Sequence, residues 1–151
     1  HNWNIMSKKI PYSATLEVRD ACLCLHVQRA ARALGKRFDE ALRPVGLTNG
    51  QFSLLMALNR PEPPTMGPVA QLLGMDRTTL TAALKPLERE GLVRVEADPG
   101  NRRSRLLFLT EKGHAALRKA LPAWRTTHAE IESALGKDAA QALRTTLAAL
   151  S

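Results

Sequence analysis

Three arginines and a row of threonines carry the first chemical signal in this chain. Arg102, Arg103 and Arg105 follow the turn-forming run Asp98-Pro99-Gly100-Asn101. Arginine on a hairpin tip suits insertion into a narrow minor groove of DNA, where the negative potential is enhanced. Upstream, Arg77, Thr78, Thr79, Thr81 and Lys85 fall on one helical pattern. Leu80, Ala83, Leu84 and Leu87 recur at helical spacing and define its buried stripe. Arg77, Thr78, Thr81, Ala82 and Lys85 lie on the other side. Small side chains let a helix sink into the major groove. Threonine hydroxyls can bond base edges or phosphates, and a threonine methyl can touch a thymine methyl. Arg77 in the first turn has the reach for a phosphate or a guanine edge. Either set alone reads equally well as a solvated basic surface. Together, at this distance, they point to double-stranded DNA.

The elements that must hold these groups are marked by local chemistry. Thr65 stands at the N-cap of a short apolar helix, Met66 to Leu73, and is counted among the DNA-contacting residues. Gly74 ends that helix and Asp76 caps the next, Arg77 to Glu90. Met75 and Leu80 occupy the two positions of a hydrophobic staple around that cap. Pro86 removes a backbone donor near the end of the helix and predicts a bend there. Gly91 supplies the stop. A strand at Leu92-Val93-Arg94-Val95 and a hairpin from Ala97 to Ser104 complete a helix-turn-helix with a basic wing, from about residue 47 to 112.

The flanks are helical. A long helix is expected from about Leu16 to about Leu42, with Val18, Cys22, Leu25, Leu34, Phe38, Ala41 and Leu42 on one apolar face. Leu23, Val27, Ala30 and Ala31 make a second strip, as in a helix sandwiched between two partners. Pro44 and Gly46 end it. Thr48 can cap a helix that carries Phe52, Leu55, Met56 and Leu58 inward. Arg60-Pro61-Glu62-Pro63-Pro64 is a stiff, extended connector. Thr110 can cap a long helix with Glu111 in its first turn and Pro122 inside it, where a kink is expected. Gly136 separates this from a last helix striped by Leu143, Leu147 and Leu150. The fold class is thus mainly α with a small β-wing: a winged helix-turn-helix whose N- and C-terminal helices, about 13–45 and 115–151, form a dimerisation region. A twofold homodimer is expected to bury those faces; an intramolecular bundle is the alternative. His1-Asn2-Trp3-Asn4-Ile5 before Met6 reads as an added remnant, leaving one domain over 6–151.

Composition narrows the partners. The chain has 151 residues, and 22 Lys plus Arg against 14 Asp plus Glu give a net charge of +8. Such a surplus favours a polyanionic partner, or else a merely soluble basic protein. No apolar run approaches the roughly 18 residues a membrane span needs, and no signal-peptide pattern is present. A cytoplasmic protein with no membrane partner is expected. Cys22 and Cys24 make no disulfide framework, being poor partners two apart on a helix, and zinc-ligand spacing is absent. No cofactor or metal is expected. The chain carries no Gly-rich phosphate loop, nucleophile elbow or metal triad, so an enzyme is not expected. A winged-helix protein-interaction module is a further alternative.

With these elements in place, the chain resembles the multiple antibiotic resistance regulator (MarR) family of bacterial transcription factors. The resemblance rests on Gly46-Leu47-Thr48 with Gln51-Phe52, Val69-Ala70-Gln71-Leu72-Leu73 and Met75-Asp76-Arg77-Thr78-Thr79-Leu80-Thr81. It continues through Leu87-Glu88-Arg89-Glu90-Gly91-Leu92-Val93, Asp98-Pro99-Gly100-Asn101-Arg102-Arg103 and Leu109-Thr110-Glu111-Lys112-Gly113. It implies a triangular homodimer on a short palindromic operator. Release follows when a small, often aromatic and anionic molecule binds, or when a cysteine is oxidised. One departure is Asn101, where the family usually has an acidic residue two before the wing arginine, here Arg103. Losing that charge is expected to loosen whatever ion pair orients the wing.

Two switches follow from the resemblance. In its organic-hydroperoxide-sensing branch a reactive cysteine lies near the start of the first helix, and Cys24 falls at that position, with Cys22 beside it. That branch's tyrosine partners are matched here by Gln28 and Phe38. The preferred switch is a phenolic or aromatic acid. His26 and Arg29, three apart, could bind its carboxylate. Trp124 and His128, four apart, could supply an aromatic wall and a polar contact, and Phe52 is counted with them. The plain reading of these residues is dimer core and satisfied surface groups.

Overall fold

Side-chain caps open four of the helices in the computed structural model, which describes residues 9–151. The expected remnant, residues 1–5, lies outside the described residues. The order is α1 (Tyr12–Ala21), α2 (Leu23–Leu42), a 3₁₀ turn (Arg43–Val45), α3 (Asn49–Leu58), α4 (Met66–Leu73) and α5 (Arg77–Arg89). Then come β1 (Val93–Asp98), β2 (Asn101–Leu109), α6 (Glu111–Leu135) and α7 (Lys137–Ala149). Two compact units divide the chain between residues 36 and 37.

In the first unit the single helix expected from Leu16 is broken. Cys22 has an extended backbone, φ −69° and ψ 110°. Its amide still donates to the Val18 carbonyl at 3.0 Å, closing α1. Its Sγ accepts the Leu25 amide at 3.4 Å, which caps α2. The Cys22 carbonyl receives the His26 amide at 3.1 Å and lies 2.7 Å from His26 Nδ1. Apolar spacing runs on through the break, so periodicity could not reveal it. Tyr12, Val18, Leu23, Val27 and Leu34 are exposed apolar residues of this unit.

The second unit holds the core. Leu42, Leu54, Leu55, Val69, Leu80, Leu87 and Leu107 are its fully buried large side chains. At α3, Thr48 Oγ1 accepts the Gln51 amide at 3.2 Å while Gln51 Oε1 accepts the Thr48 amide at 3.1 Å, a reciprocal capping box. Asp39, in the last turn of α2, accepts the Asn49 amide at 2.7 Å and its side-chain Nδ2 at 2.8 Å. Met56, expected inside, is 37% exposed, and Leu54 takes the buried place at 1%. Phe52, Leu55 and Leu58 are buried as expected.

Thr65 also departs from expectation. It occupies the N-cap position of α4, but its side chain makes no capping bond. Its extended backbone instead bridges Leu106, and the Pro64 carbonyl accepts the Leu107 amide at 2.9 Å. The proline-rich connector is thereby stitched to the wing strand. Helices α5 and α6 each run through their internal proline, Pro86 and Pro122, as one element. Beyond Pro86 the ladder resumes, with the Glu90 amide donating to the Pro86 carbonyl at 3.1 Å.

The junction of α5, β1 and α6 is tightly fastened. Gly91, at φ +74°, closes α5, and the Leu92 amide returns to the Leu87 carbonyl at 2.9 Å. Thr110 Oγ1 donates to the Gly91 carbonyl at 2.6 Å and accepts the Gly113 amide at 3.1 Å. Lys112 Nζ donates to the Glu90 carbonyl at 2.6 Å. A Cβ on Gly113 would lie 2.2 Å from the Leu92 carbonyl oxygen, so only glycine fits.

The carboxyls of Asp39 and Asp76 sit below the ordinary aspartate value of 3.8, chiefly because each accepts a backbone N–H, from Asn49 and Thr79 respectively. A depressed value in the fold means stability that is present above 3.8 and is lost as pH falls through the folded value. Asp76→Asn keeps a good capping residue but no charge. In urea titrations its deficit against the unsubstituted chain should be seen at pH near 7 and narrow as the pH falls from 3.8 through the lower folded value. A deficit of constant size at both ends would contradict this assignment.

Candidate nucleic-acid interface

Helix α5 begins where Asp76 Oδ1 accepts the Thr79 amide at 2.7 Å. Its Leu80, Leu84 and Leu87 are buried. Arg77, Thr78, Thr79, Thr81, Ala82 and Lys85 are all exposed. The Thr81 hydroxyl donates to the Arg77 carbonyl at 2.8 Å, so its oxygen is left as an acceptor. Thr65 is half-buried and less accessible than the α5 threonines.

The wing is an antiparallel pair, with Val93 opposite Leu109 and Val95 opposite Leu107. The register jumps from Ala97↔Arg105 to Asp98↔Asn101, so Arg102, Arg103 and Ser104 form a bulge on β2. Two side-chain acceptors shape the tip. Asp98 Oδ1 takes the Gly100 amide at 2.9 Å, and Asn101 Oδ1 takes the Arg103 amide at 3.0 Å. Among the described residues Arg103 has no ion pair, and the Asn101 amide oxygen bonds its backbone amide only. Arg102, Arg103 and Arg105 are exposed. Among the described residues none of them has an ion-pair partner. Arg94 differs, pairing with Glu96 and lying 4.6 Å over the Phe108 ring. Arg94 is structural, whereas the tip arginines are free cations.

A second cluster lies elsewhere in the same unit. Phe52 and Trp124 stack at 6.2 Å, and Trp124 and His128 at 4.6 Å. Hollows of about 140 and about 410 Å³ flank the pair, the first also lined by Phe38 and Asn49, the second by Met56, Leu72 and Leu121. His128 Nδ1 lies 3.9 Å from Glu132, whose carboxylate takes Arg144 Nη1 at 2.7 Å. The Arg144 guanidinium holds the Glu132 carboxyl below its ordinary value. His26 and Arg29 belong to the first unit, where they line an open hollow with Ala30, Arg32 and Ala33. Cys22 is half-buried and Cys24 exposed.

Of the residues grouped as a candidate effector site, Phe52, Trp124 and His128 stack in the second unit, while Asp39, Glu132 and Arg144 had not been singled out. The Thr48-x-x-Gln51 spacing was a readable signal for the capping box. No local signal announces an aspartate that caps a helix ten residues on. Among the described residues no group of three His, Cys, Asp or Glu could hold a metal ion, and no helix is long and apolar enough to cross a membrane.

Comparison with known proteins gives a consistent set. The MarR family model matches residues 45–104. The regulator TtmR of Methylorubrum extorquens is 36% identical over 94 residues, 62% of this chain and 48% of that protein; the chain thus spans about half its length. The transcriptional repressor MprA of Escherichia coli is 32% identical over 127 residues, 83% of this chain and 69% of MprA. The organic hydroperoxide resistance regulator of Bacillus subtilis is 30% identical over 99 residues, 66% of this chain and 67% of that protein. Among solved structures, MosR of Mycobacterium tuberculosis in complex with DNA is 42% identical, with TM-score 0.72 over 85% of this chain and 98% of MosR. The repressor CouR bound to p-coumaroyl-CoA is 30% identical, with TM-score 0.77 over 89% of this chain and 94% of CouR.

Proposed function

The chain belongs to the MarR family of transcriptional regulators, and from that premise we propose that it is a homodimeric repressor of a palindromic operator, released by a small aromatic acid. One observation carries the DNA reading. The exposed α5 face from Arg77 to Lys85 stands beside a wing whose three tip arginines have no ion-pair partner among the described residues. Thr78 and Thr81 are assigned to base edges, Arg77 and Lys85 to the rim of the major groove, and Arg102, Arg103 and Arg105 to the minor groove and phosphates. The DNA-bound state of MosR supports the same partner here.

A second copy of the chain would cover the apolar faces left open. Leu135, Leu143, Leu147 and Leu150 are exposed on α6, α7 and just beyond, and Val18, Leu23, Val27 and Leu34 in the first unit. Two copies of α5 must then stand about one helical turn of DNA apart. An effector seated against Phe52, Trp124 and His128 acts by binding better to a dimer with the wrong spacing. It shifts the population by no more than that difference in affinity. The p-coumaroyl-CoA bound by CouR is in keeping with an aromatic effector.

A second reading rests on Cys22. Its Sγ begins α2 as a helix cap, so oxidation would remove the acceptor that starts the helix. Cys24, exposed two residues on, is the alternative thiol. The hydroperoxide regulator of Bacillus subtilis favours keeping this reading.

One experiment separates the two. A labelled duplex from the chain's own upstream region is challenged with aromatic acids or an organic hydroperoxide. The unsubstituted chain, Trp124→Ala, Cys22→Ser and Cys24→Ser are run in parallel. Release by an aromatic acid should survive both serine substitutions and weaken at least roughly tenfold in Trp124→Ala, as for loss of a stacked ring. Peroxide release abolished by either serine would move the switch to that thiol. A chain that stays monomeric at micromolar concentration, or holds no duplex at low salt, would end the proposal.

A further inference from the structure

We infer that each half-site of the operator carries an A·T pair beneath the middle of α5, where the Thr81 oxygen reads the adenine amine and the Ala82 methyl reads the thymine methyl. The inference rests on the DNA-binding reading above and deepens it, from the face that meets the duplex to the base pair that face selects.

Two anchors fix how α5 faces outward. Asp76 Oδ1 takes the Thr79 amide at 2.7 Å, which sets the first turn. Leu80, Leu84 and Leu87 are buried along the opposite stripe. The helix is thereby held against rolling, and Thr78, Thr81 and Ala82 stay on the exposed side. Thr81 and Ala82 lie three and four residues after Thr78, so the three make one patch. Within it the Thr81 hydroxyl is committed, donating to the Arg77 carbonyl at 2.8 Å. A hydroxyl has one proton to give, so outward Thr81 offers lone pairs alone. Among the described residues the Thr78 hydroxyl has no partner, and it can turn either way. It selects nothing by itself.

The edges of the bases do the rest. In the major groove an oxygen that only accepts is satisfied by the N6 amine of adenine or the N4 amine of cytosine. It is repelled by guanine, whose N7 and O6 are both acceptors. Ala82 decides between the two amines. Its side chain is one methyl, exposed beside Thr81, with no hydrogen bond to give. Across from adenine it meets the thymine methyl. Across from cytosine it would cover guanine acceptors and leave them unpaired, which is costly. Guanine is commonly read by a long cation, and α5 places none at this centre. Arg77 and Lys85 stand four residues before and after Thr81, roughly 6 Å along the axis on either side. The cations grip the strands, and the small centre chooses the pair.

The test begins with a duplex that the unsubstituted chain selects from a random pool. In one half-site each adenine is replaced in turn by purine deoxyriboside, which lacks the N6 amine, and each thymine by deoxyuridine, which lacks the methyl. Fluorescence anisotropy reads the affinity of the unsubstituted chain, Thr81→Val, Thr81→Ser and Ala82→Gly, each shown to be folded by circular dichroism. At one pair the purine should weaken binding about fivefold, as for one neutral hydrogen bond lost. That penalty should vanish in Thr81→Val, which has no oxygen, and persist in Thr81→Ser, which keeps it. Deoxyuridine at the same pair should cost about threefold, and nothing further in Ala82→Gly. Selected half-sites without an A·T pair, or the absence of either coupling, overturn the inference and leave the DNA reading intact. A chain that selects no duplex overturns both.

Discussion

Gly113→Ala is expected to be among the most damaging single methyl additions in this chain, with a loss on the order of 3 kcal/mol from overpacking. For a chain of this size that corresponds to a fall of roughly 10 °C in thermal midpoint. The added carbon would lie 2.2 Å from the Leu92 carbonyl oxygen and 3.2 Å from Leu109 Cδ2. The first neighbour is backbone and cannot rotate away. Nor can α6 easily back off, because the Thr110 amide donates to that same Leu92 carbonyl at 3.1 Å. Thr110 Oγ1 and Lys112 Nζ grip the next two carbonyls, those of Gly91 and Glu90. Thermal melts followed by circular dichroism check this directly. A midpoint within about 2 °C of the unsubstituted chain would mean that the junction yields where it is described as rigid.

The second large effect concerns binding rather than stability. Arg77→Ala combined with Arg103→Ala is expected to weaken operator binding on the order of 100-fold and to reduce the salt slope by about two. Both side chains are exposed and unpaired among the described residues. Removing them should therefore leave the melting curve in place, since surface changes of this kind are usually small. Fluorescence anisotropy over a salt series, beside a thermal melt, distinguishes lost contacts from lost fold. Unchanged affinity in the folded double variant would remove both arginines from the interface.

How much was legible in the sequence depends on how far apart the interacting residues lie. Thr48, Asp76 and Thr110 were readable as helix caps because each bonds an amide three residues on. The buried stripe Leu80, Leu84, Leu87 and the exposed threonines opposite followed from helical periodicity alone. The break at Cys22 was hidden because the apolar pattern ignores it, and a thiol is not a usual cap. Asp39 holding Asn49 needed the chain to turn back first. Thr65 misled because a threonine before an apolar run is normally a cap, whereas here the extended connector pairs with β2 instead. At the wing, charge was legible but the bulge was not, since strand register depends on the partner strand.

The fastenings around β2 have a consequence for how this regulator adapts to DNA. The Pro64 carbonyl and the Thr65 bridge tie β2 to the residues before α4, and the Gly91 and Glu90 carbonyls tie the end of α5 to Thr110 and Lys112 at the head of α6. The base of the hairpin therefore cannot shift without carrying the end of α5 and the head of α6 with it. On the proposed binding to two half-sites, an operator with a base pair inserted between them would rotate one site by about 34° relative to the other, given roughly 10.5 base pairs per turn. Neither the hairpin nor α5 could follow on its own; the entire lobe would have to swing.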